Sequence, residues 1–226
     1  MPASTVRIWD LPTRLFHWSL AAAIVGLVAT AKTGAMVWHF RLGYCVLALL
    51  AFRLVWGVVG GHWSRFAQFP PSPARAWRYL TGRTGDTAAL PGHNALGALS
   101  VYAMLLVFVA QVATGLVSDD AISLSGPLAR FVPGMVVDEG TSYHRSWGQW
   151  LVIGLSALHV AAVLFYVGVR KRRIVGPMVH GDAVVPTAAG VAAPTGSRDD
   201  SRSRMVALLV LLLCAAATAA LVQLGS

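Results

Sequence analysis

The chain has 226 residues, 56% of them apolar and only 12% charged, with a net charge of +9. A soluble domain of this size carries roughly a quarter charged residues to cover its surface, so the composition excludes one. It also excludes a nucleic-acid domain and a secreted disulfide scaffold. The basic residues lie between apolar runs, where membrane proteins keep those that resist translocation.

Five stretches, 15–31, 42–61, 87–118, 146–169 and 205–226, carry at most one formal charge. Each reaches or nears the roughly 17 to 25 residues a helix needs to cross hydrocarbon. Isolated strands leave backbone groups unsatisfied in lipid, so the spans read as helices. The first resembles a signal peptide at Ala29-Thr30-Ala31, but the lead containing Trp9 and Asp10 and the polar His17 fit that reading poorly.

In chain order the expected spans are 15–33, 41–61, 94–117 and 146–169. Between the second and third, Ser72-Pro73 opens a short run to Leu80 with Trp77 and Tyr79 among Arg75 and Arg78. Ser as cap and Pro at the first helical position predict a helix start, and the mixture suits the headgroup layer. Residues 182–204 turn to Ala, Val, Pro, Gly, Thr and Ser with scattered charges. That composition predicts a flexible linker to a fifth helix, 205–226. The fold class expected is therefore all-α, a transmembrane bundle with a four-helix core in 1–181 and an accessory fifth helix.

Thirteen basic residues lie on the side of the N-terminus, among them Arg7, Arg14, Arg75 and the run Arg170 to Arg173. Four lie opposite: Lys32, Arg41, Arg130 and Arg145. The bias predicts a cytoplasmic N-terminus and, after five spans, an outer C-terminus. Cys45 and Cys214 fall inside apolar spans and read as core residues. No Cys-x-x-Cys-His occurs, so covalent haem attachment is not encoded.

The seven histidines carry the chemistry, because ionisable residues within membrane spans are costly and face the bundle interior. By this topology His39 and His144 are the histidines at outer ends of spans. His17, His62 and His93 lie toward inner ends, His159 within span four and His180 in the linker. His144 and His159 are 15 residues apart, which on a helix gives roughly 60° of rotation and about 22 Å of rise. They face a similar direction at different depths, as two stacked cofactors require. His39-x-x-x-Gly43, His93-x-x-x-Gly97 and His144-x-x-x-Gly148 each place a glycine one turn along the same face. A flat group can lie against such a glycine, though glycine also serves close helix packing.

Haem is the flat ligand that takes histidine from facing helices. Two imidazoles fill both axial positions and leave a site for electron exchange alone, whereas zinc asks for four converging ligands. The residues resemble a family: the prokaryotic di-haem membrane b-type cytochromes, comprising the cytochrome b subunit of nickel-iron hydrogenases and bacterial cytochrome b-561. Val6-Arg-Ile-Trp-Asp10, Arg14-Leu-Phe-His17-Trp18, His39-Phe-Arg-Leu-Gly43-Tyr44, Phe52-Arg53-Leu-Val-Trp56-Gly57, Gly92-His93-Asn94-Ala-Leu-Gly97, Thr114-Gly115-Leu116, Tyr143-His144 and Leu158-His159-Val160 carry it. It runs from about Val6 to Gly181.

The resemblance implies two non-covalent, bis-histidine haems b, one on His39 and His144 and one on His17 and His159. By residue reading alone, His93 remains an alternative to His17. Arg53, deep in a span, either snorkels or pairs with a haem propionate. His62 and His180 read as surface residues. Implied with the family are a bacterial inner-membrane location, exchange with quinone, and a periplasmic or membrane-bound redox partner such as a hydrogenase, another dehydrogenase or a c-type cytochrome. Electron transfer within an oxidoreductase complex is then the expected function, without substrate chemistry of its own. Acidic residues between Asp119 and Glu139 offer a patch for a basic partner. The competing class is a histidine-lined proton or divalent-metal transporter. A structural anchor would leave the paired histidines unexplained.

Overall fold

The computed structural model describes residues 3–83, 92–122, 124–186 and 194–225. The N-terminal strand β1 (Ala3–Arg7) leads into helix α1 (Leu11–Thr33). Asp10 caps α1, its Oδ1 accepting from the Thr13 amide at 2.8 Å, which satisfies one of the donors a helix start leaves open. Gly34, at φ +73°, ends the helix in a conformation that suits glycine, and α2 (Met36–Val59) comes immediately after it.

Helix α3 (Pro73–Leu80) begins as expected, with Ser72 Oγ accepting from the Arg75 amide. Ala76 is buried while Trp77 and Leu80 are exposed. Asn94 caps α4 (Ala95–Val117) through the Gly97 amide at 2.7 Å. Helix α5 (Gly134–Tyr143) passes through a π-turn (His144–Gly148) into α6 (Gln149–Gly168). Together these make a 35-residue helical span from Gly134. It starts a dozen residues before the apolar window, because a helix needs no apolar sequence beyond the lipid. The upstream acids serve their own turn: Asp119 Oδ1 accepts from Ala121 N, and Asp120 Oδ1 from Ile122 N and Leu124 N.

The linker reading needs correction. After α7 (Val175–His180) and Gly181, residues Asp182–Pro186 form β2, antiparallel to β1 with Arg7 opposite Asp182. Ser197 is buried, its amide bonded to Arg7 O and its hydroxyl to Ile8 O, each at 2.7 Å. Composition weighed this segment alone; the N-terminal strand supplies the partner that orders it. The intervening 187–193 lie outside the described residues. Helix α8 (Ser201–Gly225) starts on the Asp200 cap.

The fold class is all-α as expected, with the β1–β2 ribbon as an addition. Among the described residues, five helices are long and apolar enough to cross a membrane. The chain divides into two compact units. One comprises residues 1–17, 53–103 and 159–209; the other 18–52, 104–158 and 210–226. The first has a core of Val6, Ile8, Trp9 and Trp63, against which Met178, Ala183 and Val185 pack. Beside it Asp10, with no exposed surface, accepts from Gly61 N, Ser64 Oγ and Trp56 Nε1 as well as Thr13 N. In the second, Leu42 of α2 lies where a side chain on Gly26 of α1 would project. Cys45 is exposed rather than part of a core, and both cysteines are free.

Candidate functional site

Four histidines meet as two pairs, one within each unit. In the second unit α2 brings His39 to His144 of the π-turn, with ring centroids 6.2 Å apart and planes at 88°. In the first, α1 and α6 bring His17 to His159, again at 6.2 Å, with planes at 58°. A metal–imidazole nitrogen bond is about 2.0 Å. Two such bonds in line, with each ring centre roughly 1 Å beyond its nitrogen, place the centroids about 6 Å apart. Both pairs meet that requirement.

The hydrogen bonds of the His39–His144 pair also set its tautomers. His144 Nδ1 donates to Gln111 O of α4 at 2.8 Å, and His39 Nδ1 donates to Leu27 O of α1 at 3.1 Å. Thr30 Oγ1 lies 3.3 Å from the same His39 nitrogen. A carbonyl can only accept, so each Nδ1 carries the proton and Nε2 is left as the ligating nitrogen. Two neutral imidazoles of this kind would be able to hold a haem iron.

Arg53 is 4% exposed in the first unit, with its guanidinium 4.5 Å over the Phe66 ring. Its Nη1 is buried without a hydrogen-bond partner among the described residues. A buried donor left open in this way suits an anionic group such as a propionate. His93 lies between the rings of Phe69 and Trp9, at 4.4 and 4.8 Å. Burial, then the charge of Arg53 and the neighbouring His159, push its pKa down to about 3, so it is neutral at physiological pH. It is His17 whose ring is paired at 6.2 Å with that of His159. His62 packs on Trp63 in a short 3-10 turn and His180 is exposed.

The glycines divide. A Cβ at Gly43 meets no atom within 4 Å among the described residues, leaving room for a flat group. Gly148 departs from that expectation: a Cβ there would overlap Gln111 Oε1 and crowd Tyr143. Its missing side chain makes way for protein. At Gly97 a Cβ would lie 3.2 Å from Asn94 Oδ1. Gly115 was not singled out by the histidine-glycine spacing, yet a Cβ there would lie 2.7 Å from His144 Cε1. It opens α4 for the imidazole, and Thr114-Gly115-Leu116 was the available signal.

Residues 8–181 match the family described as prokaryotic cytochrome b561. The chain belongs to that family. Relatives named "Probable Ni/Fe-hydrogenase B-type cytochrome subunit" include one from Azotobacter vinelandii, 25% identical over 79% of this chain and 88% of its own length. Another, from Cupriavidus necator, is 24% identical over 77% of this chain and 85% of its own. No solved structure matches. As a b-type cytochrome with five membrane-length helices among its described residues, the protein is a multi-pass membrane protein that binds haem b and transfers electrons.

The same family assignment bears on the transporter alternative. Among the described residues, no group of three or more His, Cys, Asp or Glu converges, and the family that residues 8–181 match is one of cytochromes, which carry electrons.

Proposed function

We propose that this cytochrome carries electrons across the membrane through two haems b, between a quinone pool and a redox protein partner. His39 and His144 ligate one haem, and His17 and His159 the other. The observation that carries the reading is the recurrence of one ring separation, 6.2 Å, at both pairs. Haem b held between two neutral imidazoles supplies a one-electron carrier with no open coordination position.

The residues of this chain then have distinct tasks. Leu27 O and Gln111 O keep the protons of His39 and His144 on Nδ1. Gly43 leaves a flat face beside His39. Arg53 offers its open Nη1 to a propionate of the group on His17 and His159. The basic-residue count favours a cytoplasmic N-terminus in a bacterial inner membrane, which puts the His39–His144 pair on the periplasmic side. Residues 1–181 form the haem-binding part, a division supported by the extent of the family match, with α8 outside it. The names of the relatives support a nickel-iron hydrogenase as the partner class.

The test is the reduced-minus-oxidised visible spectrum of purified protein, with haem counted per chain. Two haems are expected, one lost in His39→Ala and the other in His17→Ala. A folded, colourless protein, or one haem unaffected by either change, would refute the reading.

A further inference from the structure

The π-turn at His144–Gly148 contains a histidine of the candidate site, and π-turns are rare interruptions that cluster at functional positions. A π-turn carries each amide's hydrogen bond one residue further back along the chain than an α-helix does, and side chains add further bonds to the carbonyls here. Ser146 Oγ reaches Ser142 O, Gln149 Nε2 reaches Arg145 O, and Gln111 Nε2 donates to His144 O at 3.0 Å. Of these three, Gln111 comes from a different helix, α4. The same residue's main-chain oxygen accepts from His144 Nδ1 at 2.8 Å. Gln111 therefore grips His144 at both its backbone and its ring.

This grip carries a cost. Gln111 Oε1 is buried and accepts no hydrogen bond among the described residues, an arrangement that calls for a reason. Two glycines make it possible. Gly148 leaves the space that Gln111 Oε1 fills, and Gly115 leaves the space beside the His144 ring.

We infer that Gln111 is a positioning residue for His144, holding the π-turn open so that the imidazole plane and its ligating nitrogen are fixed. The inference rests on the proposed ligation by His144 and adds a residue, with its supporting glycines, that sets the geometry of that ligand. Without the amide, nothing from α4 holds the His144 carbonyl in the wider turn, and ordinary helical bonding is the favoured alternative. That removes the extra residue from the turn and rotates the histidine by up to about 100° relative to α6.

The test combines Gln111→Met, similar in size but lacking the amide, with Gly148→Ala and the double variant, each purified with its haems. Low-spin EPR signals of the two haems are assigned through His144→Ala. The expected result in Gln111→Met is a shifted EPR signal for the His144 haem and a haem affinity there lower by roughly 10- to 100-fold. The second haem stays unchanged. Gly148→Ala, which displaces the amide from the other side, is expected to give the same signature, and the double variant to be no worse than either single change. Loss of one haem in His144→Ala with a wild-type His144-site signal in Gln111→Met overturns the positioning role alone. Both haems retained in His144→Ala overturn the ligand assignment and the inference with it. Independent, additive effects of Gln111→Met and Gly148→Ala also overturn it, and Gly148→Ala supplies the readout if Gln111→Met does not fold.

Discussion

The two histidine pairs share a ring separation of 6.2 Å, but their surroundings differ. The His39–His144 pair is held through main-chain carbonyls of α1 and α4, with no charged side chain hydrogen-bonded to either ring among the described residues. The unit containing His17 and His159 instead holds a buried arginine, a third histidine between aromatic rings, and the carboxylate of Asp10. One spacing thus occurs with backbone hydrogen bonds to both rings in one place, and in a unit that contains a packed polar cluster in the other. Axial-ligand hydrogen bonding and burial both tune a haem's potential, so the two environments are expected to give two distinct midpoint potentials.

The largest effects should come from the proposed ligands, and they should be local. His144→Ala is expected to remove one haem per chain and leave the other's spectrum intact, with His159→Ala doing the reverse. Haem content measured by pyridine haemochrome checks this directly. Loss of both haems from either single change would show that the pairs do not act as separate sites.

A smaller effect tests the polar cluster. Asp10→Ala removes a helix cap and strips the acceptor from the buried Gly61 amide and Ser64 hydroxyl. The expected cost is about 3 kcal/mol, seen as a lower thermal midpoint. If buttressing is confined to its own unit, the spectrum of the His17–His159 haem changes first on heating. An unchanged midpoint would show that the four hydrogen bonds contribute little.

The glycines sharpen the comparison from the other side. Gly115→Ala places a methyl group 2.7 Å from His144 Cε1, so the ring must move, at roughly 1 to 3 kcal/mol. Gly43→Ala meets no atom within 4 Å among the described residues. It should be near neutral for the haem-free protein and should lower haem retention if the flat face is used. Haem retention in Gly43→Ala equal to wild type, both before and after heating, would remove Gly43 from the site.

Much of this was legible because imidazole in an apolar run is expensive, and the placement of His17, His39, His144 and His159 carries that cost. The spans were legible for the same reason, since a long uncharged stretch has few alternatives. Gly148 misled, because spacing along one helix cannot show that Gln111 of another helix fills the space. Gln111 and Gly115 stayed unremarked, as a lone glutamine or glycine in a span has ordinary packing explanations. The 182–186 strand was hidden by reading composition in a window, whereas its order depends on β1, some 175 positions earlier at the Arg7–Asp182 pair. The α5 extension was hidden because hydropathy reports where lipid begins, and a helix need not stop there.

The smallest expected effect concerns the clasp on the unit of His17 and His159. Asp199 accepts from Arg7 at 2.5 Å, Arg204 at 3.0 Å and the Leu11 amide at 3.1 Å. Burial opposes its ionisation, but the Arg204 hydrogen bond, the Leu11 amide and the charges of Arg204 and Arg7 outweigh it and hold the carboxyl below its ordinary 3.8. The unfolded chain therefore binds this proton more readily than the folded one, and the linkage stabilises the docked segment above that ordinary value. As pH falls through the depressed folded value, the contribution is lost. Hydrogen exchange over residues 194–200 should accordingly be flat between about pH 5 and 8, once corrected for intrinsic rates, and should rise below about pH 4. Asp199→Asn should raise it throughout, at a cost of about 2 kcal/mol for the lost charge-assisted bonds. That change should leave the His39–His144 haem untouched, because the clasp and that pair belong to different units. A shift in the potential of the His39–His144 haem would show that the two environments are coupled after all.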